Sequence, residues 1–304
     1  MAQQNQRHGP PNIKAANSNT LSDSYRDAIA IAYQYIGSAA ASTAFSFAGR
    51  TFETPIMSGP IGLGPGEDGR NLAFARAVNA AGSAYWATFH SPEDWKATLA
   101  EGIPAIRTIK PLADMERLLE EIAYDTEHGA IGYAMDIDHG LTAYGELDGQ
   151  KEPFAPKSLA ELHTLSEASP LPFYLKGILS VHDAVLAAEA GAAGIVISGH
   201  NNRFPCAVPP LKALPSIRKA VGGDFTILVD GGMNSGYDVF KALALGADGA
   251  LCARALAGAF AQNGAEGLTE KLREMTAELK GAMANTGSAD LEHINAGSII
   301  LPMM

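Results

Sequence analysis

Five charged or titratable residues interrupt or follow apolar runs in the C-terminal half of the chain: Lys176, His200, Arg203, Asp230 and Arg254. Lys176 lies inside Phe173-Tyr174-Leu175-Lys176-Gly177-Ile178, where an unpaired ammonium is costly, so it requires an anion. His200 closes Gly194-Ile195-Val196-Ile197-Ser198-Gly199-His200. An imidazole at such an end suits general-base work near neutral pH, and it equally suits a structural bond to a neighbouring loop. Arg203 follows three residues later; a planar guanidinium grips a carboxylate through two parallel hydrogen bonds, and a surface ion pair is the competing use. Asp230-Gly231-Gly232 ends a third run and Arg254 a fourth. Glycines there let backbone N–H groups approach phosphate oxygens, and an arginine adds charge.

These residues need rigid elements to aim them. The three runs from Phe173, Gly194 and Phe225, with the shorter Gly249-Ala250-Leu251-Cys252-Ala253-Arg254, are apolar throughout, as strands buried on both faces of a parallel sheet are. Ser180 stands where a helix N-cap is needed. Earlier in the chain, strands are expected at 54–61, 84–89, 105–109 and 130–137, with helices at 71–81, 92–100, 112–126 and 158–167. Eight strand-helix units in unbroken alternation are what a closed (β/α)8 TIM barrel requires, and their polar residues gather at the C-terminal strand ends. The long connection Asp138–Pro156 leaves strand four at that end and is expected to act as a lid.

The order of the motifs resembles the FMN-dependent α-hydroxy acid oxidases and dehydrogenases, the glycolate oxidase and lactate oxidase family. The matching segments are Lys176-Gly177, Ser198-Gly199-His200-Asn201-Asn202-Arg203, Asp230-Gly231-Gly232-Met233-Asn234-Ser235-Gly236 and Ala253-Arg254, with Trp86-Ala87-Thr88 and Ala282-Met283-Ala284-Asn285-Thr286-Gly287 outside them. The resemblance covers roughly Thr54 to Ile294. It implies an FMN flavoprotein oxidising a small 2-hydroxy acid to the 2-oxo acid, without a metal. His200 becomes the general base, Asp136 the residue that orients it, and Arg203 the partner of the substrate carboxylate. Lys176 stabilises reduced flavin, or pairs with Asp136 as a structural ion pair. Ser198, Asp230, Gly231, Gly232, Arg254, Ser58 and Thr88 become cofactor contacts. Related barrels often form homotetramers.

Several positions depart from the family pattern. Asn234-Ser235 stands where an arginine for the FMN phosphate is usual, Ala134 replaces a flavin-contacting threonine and Tyr85 a serine. Ile106-Arg107-Thr108-Ile109-Lys110 retains neither the glutamine nor the tyrosine of strand three, and Gly140-Leu141-Thr142-Ala143 lacks a second substrate arginine. Arg107 or Lys110 is placed to supply the missing charge. Asp138 and His139 have no counterpart in the pattern. Two other readings stay open: a flavin-dependent isomerase similar to type 2 isopentenyl diphosphate isomerase, and a barrel that binds a phosphorylated ligand without catalysis.

Composition narrows the partners. The net charge of -11 argues against nucleic acid or an anionic membrane as the main partner. Two cysteines, Cys206 and Cys252, give no disulfide framework and fit a reducing cytoplasm. Residues 1–22 are expected as a flexible tail ahead of one domain at 23–304, and the Ala-rich stretch Tyr25 to Phe45 as a helix packed on the barrel. Gly64-Pro65-Gly66-Glu67-Asp68-Gly69 has dinucleotide-fingerprint spacing, but no acidic residue ends the next strand to hold a ribose, so a glycine-rich loop is the better reading.

Overall fold

The computed structural model describes residues 17–38, 40–63, 69–88, 91–149 and 152–302. Eight parallel strands form the centre: β1 Ile56–Ser58, β2 Tyr85–Ala87, β3 Ala105–Ile109, β4 Gly132–Asp136, β5 Phe173–Ile178, β6 Gly194–Ile197, β7 Thr226–Asp230 and β8 Gly249–Cys252. Each ladder joins consecutive strands, and β8 pairs with β1 through Ala250↔Ile56, Leu251↔Met57 and Cys252↔Ser58. Between β1 and β2 the cylinder closes at Ser58, whose N–H donates to Ala84 O at 3.4 Å while its Oγ accepts the Trp86 N–H at 3.0 Å. The TIM barrel read from the alternation of strands and helices is therefore the fold.

Alternation along the strands builds two cores. Met57, Trp86, Ile106, Ala134, Tyr174, Val196, Leu228 and Leu251 fill the interior, stoppered below by Phe45, Phe47 and Phe52 of the hairpin Phe45–Phe47/Arg50–Phe52. Phe47 packs on Tyr174 at 5.3 Å between ring centroids. Outward residues such as Tyr133, Leu175, Ile195 and Val229 pack beneath the helices. Those helices are α2 Arg70–Ala80, α3 Pro92–Ala100, α4 Met115–Glu127, α5 Leu159–Glu167, α6 Val181–Glu189, α7 Pro210–Val221, α8 Gly236–Ala244 and α9 Arg254–Ala284, preceded by α1 Ser18–Ala28. Ser180 caps α6 as expected, accepting the Asp183 N–H. Asp114 caps α4, so that helix begins at Met115 rather than Leu112. The chain of α9 kinks at Asn263 and Gly264.

The N-terminal expectations need correction. Asn17 accepts the Asn19 and Thr20 N–H groups and starts α1 at Ser18, so residues 18–22 are helical rather than tail. The helix expected from Tyr25 to Phe45 ends at Ala28. Ala30–Ile31 pairs antiparallel with Ile299–Ile300, and the Ala32 and Gln34 N–H groups donate to Ser298 O and Asn285 O. Tertiary backbone partners here override the helix preference of alanine. Residues 1–16 and most of the Gly64–Gly69 loop lie outside the described residues.

Candidate active site

Continuing the interior register past the apolar layers brings Thr88, Lys110, Asp136, Lys176, Ser198, Asp230 and Ala253 to the mouth of the barrel. Asp136 is 1% exposed and lies between two ammonium groups, Lys110 Nζ at 2.6 Å and Lys176 Nζ at 3.1 Å. Burial by itself would raise the Asp136 pKa, but the charges of Lys176, Lys110 and His200 hold it well below the usual carboxylate range. Burial would likewise lower Lys176; Asp136, Asp230 and Asp138 outweigh it and hold this lysine above its ordinary value. Asp230 Oδ2 is 3.5 Å from Lys176 Nζ and accepts the Ser198 hydroxyl at 2.8 Å. A cavity of about 300 Å³ opens over this layer, lined by Lys110, Asp136, Lys176, His200, His139 and the Asp230–Asn234 turn, among others.

His200 lies past the end of β6, which stops at Ile197, rather than within it. His200, Asn201 and Asn202 are three successive left-handed residues, with φ of 44°, 54° and 62°. Asn and His enter this region more readily than other side chains, but three in succession are a strain of the sort found at functional sites. The His200 N–H donates to Ser198 Oγ at 3.1 Å, and its Nδ1 lies 2.9 Å from Asp138 Oδ2. Asp136, expected to orient this ring, is farther away at 3.7 Å because its oxygens are committed to the lysines. The carboxylate within hydrogen-bonding distance of the ring is Asp138. Burial would lift its pKa, but the hydrogen bond and charge of His200 outweigh burial and hold it low. Asp138 reaches the ring because β5 bulges after Lys176 at Gly177, with φ of 98°; a Cβ there would come within 2.5 Å of Asp138 Cγ.

His139, on the turn Ile137–His139, faces His200 edge to face, Nε2 to Nε2 at 3.4 Å. Its Nδ1 lies 3.0 Å from Asp148 Oδ2. Burial, then Lys110, His200 and Arg203, push His139 down to about 4, so it is neutral at physiological pH. Asp136, His139 and His200 offer three ligand atoms within 4.8 Å of one another. A divalent cation there would meet the two ammonium groups already on Asp136, so the trio reads as proton-handling chemistry.

The other expected residues divide. Arg203 does not reach the cavity: its Nε donates to Asp138 O at 2.7 Å, and its Nη2 to Leu141 O at 2.8 Å and to Asp148 at 2.5 Å. It latches the connection after β4, which is further tied by the bridges Leu141↔Leu147 and Leu112↔Phe154. Ser58 is fully buried at the barrel seam, away from the cavity lining. Thr88, Asp230, Gly231, Gly232 and Arg254 do line the cavity, and Arg254 Nη1 donates to Asn201 Oδ1 at 3.3 Å. Asn234-Ser235 is used to start α8: Ser235 accepts the Asp238 N–H, and Asp238 accepts both the Asn234 and Ser235 N–H groups. Of the two cations proposed for strand three, Arg107 turns outward to Asp125 of α4 at 2.8 Å, while Lys110 lines the cavity. Asp138, His139 and Asp148 lacked a sequence assignment. The signal available was an acid followed by a histidine directly past a strand end.

Comparison with known proteins agrees with this geometry. The sequence profile of a family described as FMN-dependent dehydrogenase matches residues 143–301. An L-lactate dehydrogenase of Caulobacter sp. (strain K31) is 44% identical over 199 residues, covering 61% of this chain and 52% of that protein. A glycolate oxidase of Spinacia oleracea is 37% identical over 165 residues, 53% of this chain and 43% of that protein. The chain spans about half the length of the curated relatives it matches. Among solved structures, a mandelate oxidase mutant with a monooxide FMN adduct superposes with a TM-score of 0.85 at 28% identity, covering 95% of this chain and 92% of that one.

Proposed function

Because the chain belongs to the FMN-dependent dehydrogenase family, we propose that it holds FMN at the mouth of its barrel and oxidises a small 2-hydroxy acid to the 2-oxo acid, with His200 as general base. The residues present fit such a group. Lys176 and Lys110 offer fixed positive charge beside the cavity. Thr108 Oγ1 is buried without a partner among the described residues, one step below Lys110 on the same face of β3. At the phosphate corner, α9 begins without a side-chain cap at Ala253, so its N-terminal end stands beside Arg254 and the Gly231-Gly232 turn.

Bound FMN supplies the two-electron acceptor that side chains lack. The chain does the rest. Asp138 takes the Nδ1–H of His200, which leaves Nε2 as the lone-pair nitrogen that receives the substrate proton. The same carboxylate stabilises the imidazolium once it forms. Lys110 is placed to hold the substrate carboxylate, the task that the latched Arg203 leaves open. One observation carries the reading: an imidazole set by a carboxylate stands beside the cavity that two ammonium groups, one of them buried, line. No helix among the described residues is long and apolar enough to cross a membrane. Cys206 is exposed and Cys252 buried, both free, which supports a reducing, cytoplasmic setting.

The test is spectroscopic. The purified protein supplied with FMN should turn yellow and bleach anaerobically with L-lactate, glycolate or mandelate, and His200→Ala should keep the colour but not bleach. Failure to take up flavin would refute the proposal, and flavin uptake without bleaching by any of these acids would remove the 2-hydroxy acid reaction.

A further inference from the structure

The two imidazoles at the mouth present a proton-counting problem. Asp138 sits 2.9 Å from His200 Nδ1 and Asp148 sits 3.0 Å from His139 Nδ1, so each ring carries its proton on Nδ1 when neutral. Their Nε2 atoms then face one another at 3.4 Å as two lone pairs, a contact that gains nothing until one proton enters it. With one proton the pair becomes N–H···N. We propose that His139 acts through His200 as the second half of a two-imidazole acceptor, sharing the proton taken from substrate and passing it on towards Asp148. This rests on the reading of His200 as the base.

The surroundings set the direction. Lys110 from the end of β3, Lys176 from β5 and Arg203 from the loop after β6 place positive charge around the pair; Asp136, Asp138 and Asp148 place negative charge. The resting His139 is neutral, and because burial and the neighbouring cations hold it down to about 4 it carries the proton only in passing. His200 Nε2 gains the substrate proton, that proton moves to His139 Nε2, and the Nδ1 proton of His139 leaves to Asp148 and then to water. Bound FMN would take the two electrons together with the second substrate hydrogen, and His139 would regain its starting tautomer by exchange with solvent. Asp148 suits the outlet because its side chain is 25% exposed, whereas Asp136 at the base of the site is sealed. The Arg203 contact at 2.5 Å fixes Asp148 in place, which gives the latch on the connecting loop a role in the chemistry.

The experiment has two arms, both on the full chain supplied with FMN. In ¹⁵N-histidine-labelled protein in mildly acidic buffer, a scalar coupling across the hydrogen bond should join His200 Nε2 to His139 Nε2 and vanish in His139→Phe. With L-lactate as probe, His139→Ala should lower kcat about tenfold or more while KM stays. Added imidazole should restore kcat, and His139→Gln, which can accept a hydrogen bond but not relay a proton, should stay slow. Absence of the coupling, or a fully active His139→Gln, overturns the proposal. Failure of the parent protein to bleach with any acid would instead count against the assigned reaction, while the coupling, which needs no turnover, still decides the two-ring contact.

Discussion

Replacing Asp138 by asparagine asks which carboxylate serves the base. The Asp138 oxygen lies 2.9 Å from His200 Nδ1, and at an effective dielectric constant of about 20 a charge pair at that separation interacts by roughly 6 kcal/mol before desolvation is subtracted. Net values for hydrogen bonds to charged groups are about 1.5–3 kcal/mol. The interaction strengthens only when the ring gains its proton, so the loss belongs to the chemical step: kcat should fall about 10- to 150-fold with KM nearly unchanged. Asparagine also presents an amide that can donate to Nδ1 and favour the wrong tautomer, which places the expected effect towards the upper end. The assay is the anaerobic rate of flavin bleaching in stopped flow, with flavin content measured in parallel. Bleaching within about twofold of the parent at full flavin occupancy would refute the assignment of Asp138 to His200.

Asp136→Asn should act on stability, because it removes the carboxylate that two ammonium groups share, one of them 2% exposed; a loss of about 3–5 kcal/mol lowers Tm on the order of 10 °C in a thermal melt, and an unshifted Tm would show the pairing to be idle. Asp136 and Asp138 are both held below the usual carboxylate range, so the stability they contribute is complete above the ordinary aspartate value and is lost as pH falls through their lower folded values. Lys176 is held above its ordinary value, so its share is lost only as pH rises past the lysine range. The Tm difference between the parent and Asp136→Asn is expected to be flat from about pH 6 to 9 and to shrink below about pH 4, and a difference unchanged at pH 3 would contradict the network. Arg203→Ala should release the connection after β4, read as faster hydrogen exchange and proteolysis over 138–149; a rise in KM with unchanged protection would restore Arg203 to the substrate carboxylate. Gly177→Ala would press a methyl against Asp138 Cγ in a left-handed backbone, and it should slow bleaching as Asp138→Asn does while lowering Tm by several degrees.

The sequence by itself determined the barrel and the depth of its charged layer. Unbroken apolar strands punctuated by helices admit few architectures, and period-two alternation places Lys176, Ser198 and Asp230 one step above the apolar residues that precede them. Local pattern failed where backbone partners are distant: the alanine-rich stretch after α1 became extended because its N–H groups meet the C-terminal segment. The structure alone decided which acid serves which base. Asp136 and Asp138 are two residues apart and chemically identical in sequence, yet one is held by two lysines and the other, admitted by the bulge at Gly177, by the histidine. The same holds for Arg203, whose spacing from His200 said carboxylate, while the loop that folds over it supplied one from within the chain, Asp148. Which oppositely charged groups meet depends on how loops cross the barrel mouth, because an ion pair is set by distances of a few ångströms between segments far apart in sequence.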